Sequence, residues 1–119
     1  ELPIKLVRCP TTREADGLAM SSRNLRLSAE LRAAAPVIYQ SLLAAQSELN
    51  AGQSSAGVQA RGMERLSAAG LQPEYFDIVD GKTLLPVRQY ADSDFIVICT
   101  AAWAGAVRLI DNLVVKEPL

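Results

Sequence analysis

Asp94-Phe95-Ile96-Val97-Ile98-Cys99-Thr100-Ala101-Ala102-Trp103-Ala104-Gly105-Ala106-Val107-Arg108-Leu109-Ile110-Asp111 is the stretch that decides the fold of this 119-residue chain. From Asp94 to Ala102 it is a nearly continuous apolar run rich in β-branched residues, the pattern of a central strand. Ala104-Gly105 supplies a reversal, and Val107 to Leu113, with Val114-Val115 beyond, reads as a second strand folded back on the first in a tight hairpin. Upstream, Tyr75-Phe76-Asp77-Ile78-Val79-Asp80 alternates in strand fashion after Pro73 and ends at Gly81. Three strands in antiparallel order follow.

The segments before the sheet are helical. Ser28 is a good N-cap, and Leu31, Ala34, Ile38, Leu42, Ala45 and Leu49 recur at three- and four-residue spacing to give one apolar face. Asn50-Ala51-Gly52 stops that helix. Pro36 interrupts it, because an internal proline removes a backbone hydrogen bond and clashes with the preceding turn, so a kink or a short first segment ending near Ala35 is expected. Ser54 or Ser55 caps a second helix with Val58, Met63, Leu66 and Ala69 as its stripe, Gly57 and Gly62 as local weaknesses and Gly70 as its terminator. The fold class is therefore α+β: a two-layer domain with two main helices packed on a three-stranded antiparallel sheet. Pro3 to Cys9 alternates apolar and basic residues and suggests a further short strand ending at Pro10.

Composition bounds the chemistry. Half the residues are apolar, which at this length is enough for a self-sufficient core. Twelve basic residues against 13 acidic ones leave a net charge of −1, which argues against a nucleic-acid or anionic-membrane binder. There is no histidine, so any imidazole base, acid or zinc ligand must come from elsewhere, and the chain opens on Glu1 instead of a methionine. Cys9 and Cys99 are far apart, in apolar surroundings and without metal-ligand spacing, so both are expected to be small buried hydrophobes and no metal site is expected. Reduced cysteines and no apolar run of spanning length fit a cytoplasmic location.

The chemically suggestive segment is Arg13-Glu14-Ala15-Asp16-Gly17-Leu18-Ala19-Met20-Ser21-Ser22-Arg23-Asn24. It combines a turn at Asp16-Gly17, two adjacent hydroxyls, backbone N–H groups outside any helix or sheet, and a guanidinium. Such donors can converge on phosphate oxygens. A solvated loop with local caps fits the same residues.

The string itself, with Pro10-Thr11 before it, closely resembles a signature of the pantothenate synthetase (pantoate beta-alanine ligase) family. Ala101-Ala102-Trp103-Ala104-Gly105 leading into Arg108-Leu109-Ile110-Asp111-Asn112, and Asp77-Ile78-Val79-Asp80 followed by Thr83-Leu84, match it further along in the right order. The resemblance covers nearly the whole chain but only the C-terminal domain of that enzyme. It implies that residues 1–10 are the end of an N-terminal nucleotide-binding domain and a hinge, and that residues 11–119 are a C-terminal ATP-lid domain. The family condenses pantoate with beta-alanine through a pantoyl adenylate, giving pantothenate, AMP and pyrophosphate, with ATP and Mg²⁺ as a substrate complex and no tightly bound cofactor.

By the same resemblance the loop is the counterpart of the KMSKS loop of class I aminoacyl-tRNA synthetases, without its lysines. Met20, Ser21, Ser22 and Arg23 fall on the ATP-binding stretch, and Thr12 on a position whose backbone contacts the adenine, where the family often has valine. The family's HxGH-type motif and its pantoate and beta-alanine pockets belong to the N-terminal domain, so no catalytic residue is expected in this chain and the chain alone is expected to be folded but inactive. Arg108 and Asp111 are expected in ion pairs or turn contacts, Trp103 as a packing or interface anchor, and Asp16 as a turn-former with Gly17. Asp77 and Asp80 lie on opposite faces of a strand and make a poor acid/base pair. Two alternatives stay open: an isolated non-catalytic module that self-associates, as in a homodimer, and the lid of a related adenylating ligase or nucleotidyltransferase.

Overall fold

The computed structural model describes residues 13–21, 24 and 26–118. The expected strand at Pro3–Cys9, the boundary near residue 10 and the Cys9 thiol lie outside these residues.

Ser28 starts the first helix as its sequence context demands: its hydroxyl accepts the Leu31 N–H at 3.2 Å, satisfying one of the donors that a helix start leaves open. Helix α1 (Ala29–Ala34) then stops, because Pro36 cannot donate into the ladder, and α2 (Val37–Asn50) begins immediately after with Pro36 in the cap position, where a missing N–H costs nothing. The interruption at Pro36 thus takes the form of two helices. Ile38, Leu42, Ala45 and Leu49 of α2 are buried, whereas Leu31 and Ala34 of α1 are only half covered.

Ser54 caps α3 (Ser55–Ala68), accepting the Gly57 N–H. Val58 and Leu66 face the core as the periodicity predicts, but the third buried position is Gly62, with Met63 and Ala69 half-buried beside it. A Cβ on Gly62 would sit 2.7 Å from the Phe76 ring, and Phe76 is fully buried. The sequence reading of Gly62 as a weakness is therefore corrected: its bare backbone is what allows α3 to lie on the sheet.

The sheet has the order β1-β2-β3, antiparallel throughout, with β1 at Gln72–Asp80, β2 at Ile96–Ala104 and β3 at Val107–Lys116. Helices α2 and α3 pack against each other and cover one face, α2 lying over β3 and α3 over β1. Burying a leucine such as Leu42, Leu49 or Leu66 completely, as here, stabilises the fold by about 2 kcal/mol each. Strand β1 begins three residues earlier than Tyr75, with Pro73 inside it. Pro73 is tolerated because β1 is an edge strand, and the register shifts between Pro73 and Tyr75 in a bulge. The Thr100 hydroxyl, buried, donates to the Tyr75 carbonyl at 2.8 Å and satisfies it beside the irregularity.

Strand β2 starts at Ile96, two residues after Asp94, and runs on through Trp103 to Ala104. Gly105 opens the two-residue turn with φ of +62°, which a side chain would disfavour, and Ala104 pairs with Val107 across it. On the sheet face away from the helices, Phe95 and Val97 form a smaller cluster with Val79, Cys99 and Val114. Cys99 is a free thiol, half-buried instead of fully enclosed, and burial pushes its pKa up. Among the described residues no helix is long and apolar enough to cross a membrane.

Candidate functional site

Before α1 the chain turns back on itself between Arg13 and Ala19. Arg13 and Ala19 form an antiparallel bridge, the Glu14 N–H donates to the Leu18 carbonyl at 2.8 Å, and the Gly17 N–H donates to the Glu14 carbonyl at 2.9 Å. Asp16 shapes this turn as expected, its carboxylate accepting the Leu18 N–H at 3.3 Å. Gly17 has a φ of +94°, and a Cβ there would lie 2.5 Å from the Tyr39 ring, so both conformation and space require glycine.

Three elements hold the loop. Toward β3, the Arg13 guanidinium donates to both oxygens of Asp111, at 2.6 and 3.0 Å, in a fork that also reaches the Asn112 carbonyl at 3.3 Å. It donates to the Gly17 carbonyl of its own loop at 3.0 Å and stacks 3.9 Å over the Tyr39 ring of α2. Toward α1, Arg32 bridges Asp16 at 2.7 Å and Glu14 at 2.8 Å. Asn24 closes the far end, donating to Glu14 at 2.6 Å and to the Ala19 carbonyl at 3.0 Å, while its N–H donates to the Ser21 carbonyl at 3.1 Å. Hydrogen bonds from Asn24 and then Arg32 hold the Glu14 carboxyl below its ordinary range, and the bond from Arg32 does the same for Asp16. Those carboxylates in turn raise the pKa of Arg32.

The amides of Glu14, Gly17, Leu18, Asn24 and Leu27 bond within the loop, so these five donors are turned inward. Arg13 and Arg32 are likewise engaged with carboxylates. The described part of the loop presents Met20, 57% exposed, and Ser21 to solvent, together with Ala15, Asp16 and Arg26. Thr12, Ser22 and Arg23 lie outside the described residues.

The other conspicuous side chains are structural. Arg108 forms a fork with Glu74 at 2.9 and 3.0 Å, and the Trp103 indole donates to the same carboxylate at 3.1 Å while remaining on the surface. Asp77 is exposed and accepts a bond from Gln59 of α3. Asp80 accepts the amides of Lys82 and Thr83 and the Ser93 hydroxyl, pinning the connection that follows β1. Sequence reasoning missed Arg13, Tyr39 and Asn24 as the parts that hold the loop. The ion pair of Asp111 was anticipated, but not its partner.

The family described as Pantoate-beta-alanine ligase matches residues 1–114. This chain belongs to that family. It is 47% identical over 113 residues to the pantothenate synthetase of Hahella chejuensis, an alignment covering 94% of this chain and 39% of the relative. With the pantothenate synthetase of Pseudomonas putida it shares 44% identity over 115 residues, covering 96% of this chain and 39% of that one. The chain thus spans about two fifths of the length of the curated relatives it matches. Among solved structures, pantothenate synthetase from Thermus thermophilus superposes with a TM-score of 0.81 at 41% identity, covering 92% of this chain and 39% of that one. The pantoate-beta-alanine ligase from Francisella tularensis, complexed with beta-gamma ATP and beta-alanine, superposes with a TM-score of 0.58 at 25% identity, covering 90% and 32%.

Proposed function

We propose that this chain is the C-terminal, ATP-lid part of a pantothenate synthetase, which condenses pantoate with beta-alanine through a pantoyl adenylate and releases AMP and pyrophosphate. The observation that carries the reading is the anchored loop: a turn held by β3, α1 and α2, with Met20 and Ser21 presented to solvent. A family member whose solved complex holds beta-gamma ATP supports a nucleotide as the ligand of such a loop.

The chemistry explains what a pinned loop contributes. Pantoate carboxylate and ATP are both anionic, and negative charge shifts onto the phosphoryl oxygens as the carboxylate attacks the α-phosphorus and pyrophosphate leaves. Donors fixed beforehand stabilise that charge without having to be ordered during the reaction. In this reading Ser21 and Ser22 supply hydroxyl and amide donors, Arg23 the cation, Met20 and Thr12 contacts to the nucleotide, and Mg²⁺ arrives with ATP. Arg13 and Arg32 are engaged with carboxylates, so in this reading Arg23 supplies the main positive charge facing the nucleotide. Pantoate and beta-alanine are bound by the part of the enzyme that this chain does not span, so the 119 residues alone are inactive. A cytoplasmic location belongs to the same proposal.

Rapid-quench measurement of pyrophosphate release in the full-length enzyme tests it. Ser22→Ala and Arg23→Ala each slow adenylate formation about tenfold or more, the loss of one charge-assisted contact to the transition state, with little change in thermal stability. Normal single-turnover adenylation in both variants overturns the proposal.

A further inference from the structure

The fork between Arg13 and Asp111 joins two residues 98 positions apart. Both side chains are largely withdrawn from water, Asp111 at 2% exposure and Arg13 at 17%. Arg13 makes four hydrogen bonds, to both Asp111 oxygens, the Asn112 carbonyl and the Gly17 carbonyl, and lies on the face of Tyr39, whose ring also abuts Gly17. Asp111 is further fixed by accepting the Asn112 N–H at 2.7 Å. One guanidinium therefore ties the turn at Gly17 to the middle of β3 and to α2, three residues before the exposed Met20. The ties from Asn24 and Arg32 run within the loop or to the short helix next to it and do not reach the sheet.

From this arrangement we infer that Arg13 and Asp111 are positioning residues for adenylate formation: they hold the backbone leading into Met20 and Ser21 in register with the sheet, and neither touches ATP. The inference rests on the ATP-binding reading given above. Its physical basis is entropic. A loop cut from β3 has to be ordered while the phosphates rearrange, and that cost falls on the adenylation step. The second half-reaction, attack of the beta-alanine amine on the acyl carbon with departure of AMP, takes place after pyrophosphate has been formed and draws less on the loop.

The two half-reactions are measured separately in the full-length enzyme by rapid quench: ATP and pantoate first, then beta-alanine added to the accumulated adenylate. Asp111→Asn keeps the shape and removes the charge, and Arg13→Lys keeps the charge and removes the fork. Each is expected to slow adenylation about tenfold, the scale of one charge-assisted bond, with the amine step within about twofold of wild type. Glu48→Gln is the control. Glu48 accepts from Arg61 and Arg65, so its loss disturbs a comparable ion-pair cluster between α2 and α3, away from the loop, and leaves both steps unchanged. Unaltered adenylation in folded Asp111→Asn and Arg13→Lys overturns the inference, as does an equal fall of both half-reactions, which marks a general structural role. Ser22→Ala and Arg23→Ala run alongside: if they slow adenylation and the fork variants do not, only the positioning role fails, and if they too are normal, the ATP-binding reading fails with it.

Discussion

Strand β3 carries two arginine–carboxylate forks three residues apart, and three residues along a strand means opposite faces. Asp111 points to the helix side and meets Arg13, the two side chains 2% and 17% exposed; Arg108 points to the open side and meets Glu74, the two 38% and 39% exposed. Their bond lengths are nearly alike. Their surroundings are not: water screens the outer pair and competes for its donors, while the inner one has replaced water with Tyr39, Gly17 and Asn112. Equal geometry on paper thus corresponds to unequal dependence of the fold on each pair.

Removing one partner separates them most sharply. Asp111→Ala leaves Arg13 largely enclosed without its counter-charge and is expected to cost about 3 kcal/mol in urea unfolding; a loss below about 1 kcal/mol, the range of exposed pairs, would erase the distinction. Arg13→Lys is the next largest effect. It keeps the charge but loses the second bond of the fork and the flat stacking on Tyr39, for about 1–2 kcal/mol by the same measurement.

A third carboxylate sharpens the comparison through pH. Asp80 is held at about 2, from an ordinary 3.8, first by the Ser93 hydroxyl and then by the amides of Thr83 and Lys82. Because the folded value lies below the unfolded one, these bonds stabilise the fold above about pH 4 and are lost as pH falls toward 2. Asp80→Asn is expected to flatten the acid side of the stability profile in that window, and a profile identical to wild type would remove the assignment. A hydroxyl and two amides lower this pKa instead of a cation, so the effect persists at high salt. The smallest change belongs to Glu74→Gln. Arg108 lowers the pKa of Glu74, yet the melting temperature should barely move, and any difference should vanish near 1 M salt, where the screening length is about 3 Å.

What could be read from the sequence follows from the range of each interaction. Ser28, Pro36, Ser54 and Gly105 act within a few residues of themselves, and the helix starts, the break and the hairpin turn lie where those residues require. Pro73 misled because a proline reads as the end of a strand until the strand is known to be an edge. Gly62 read as a weak point because its reason, the Phe76 ring, comes from another element. At the candidate site Asp16 declared its turn locally, but Arg13 gave no local sign that its partner lay on the last strand. The amides of Glu14, Gly17, Asn24 and Leu27 looked available because nothing in their neighbours reveals that they donate to carbonyls of the same loop.

Gly62 has one more consequence. At that point α3 and β1 approach more closely than any side chain on the helix would permit, so the contact with Phe76 depends on an absent carbon. Replacing glycine by alanine inside a helix is a common way to strengthen it. Here that route is closed at Gly62 and open nearer the helix start at Gly57, where a Cβ meets only ordinary contacts at 3.4 Å and beyond.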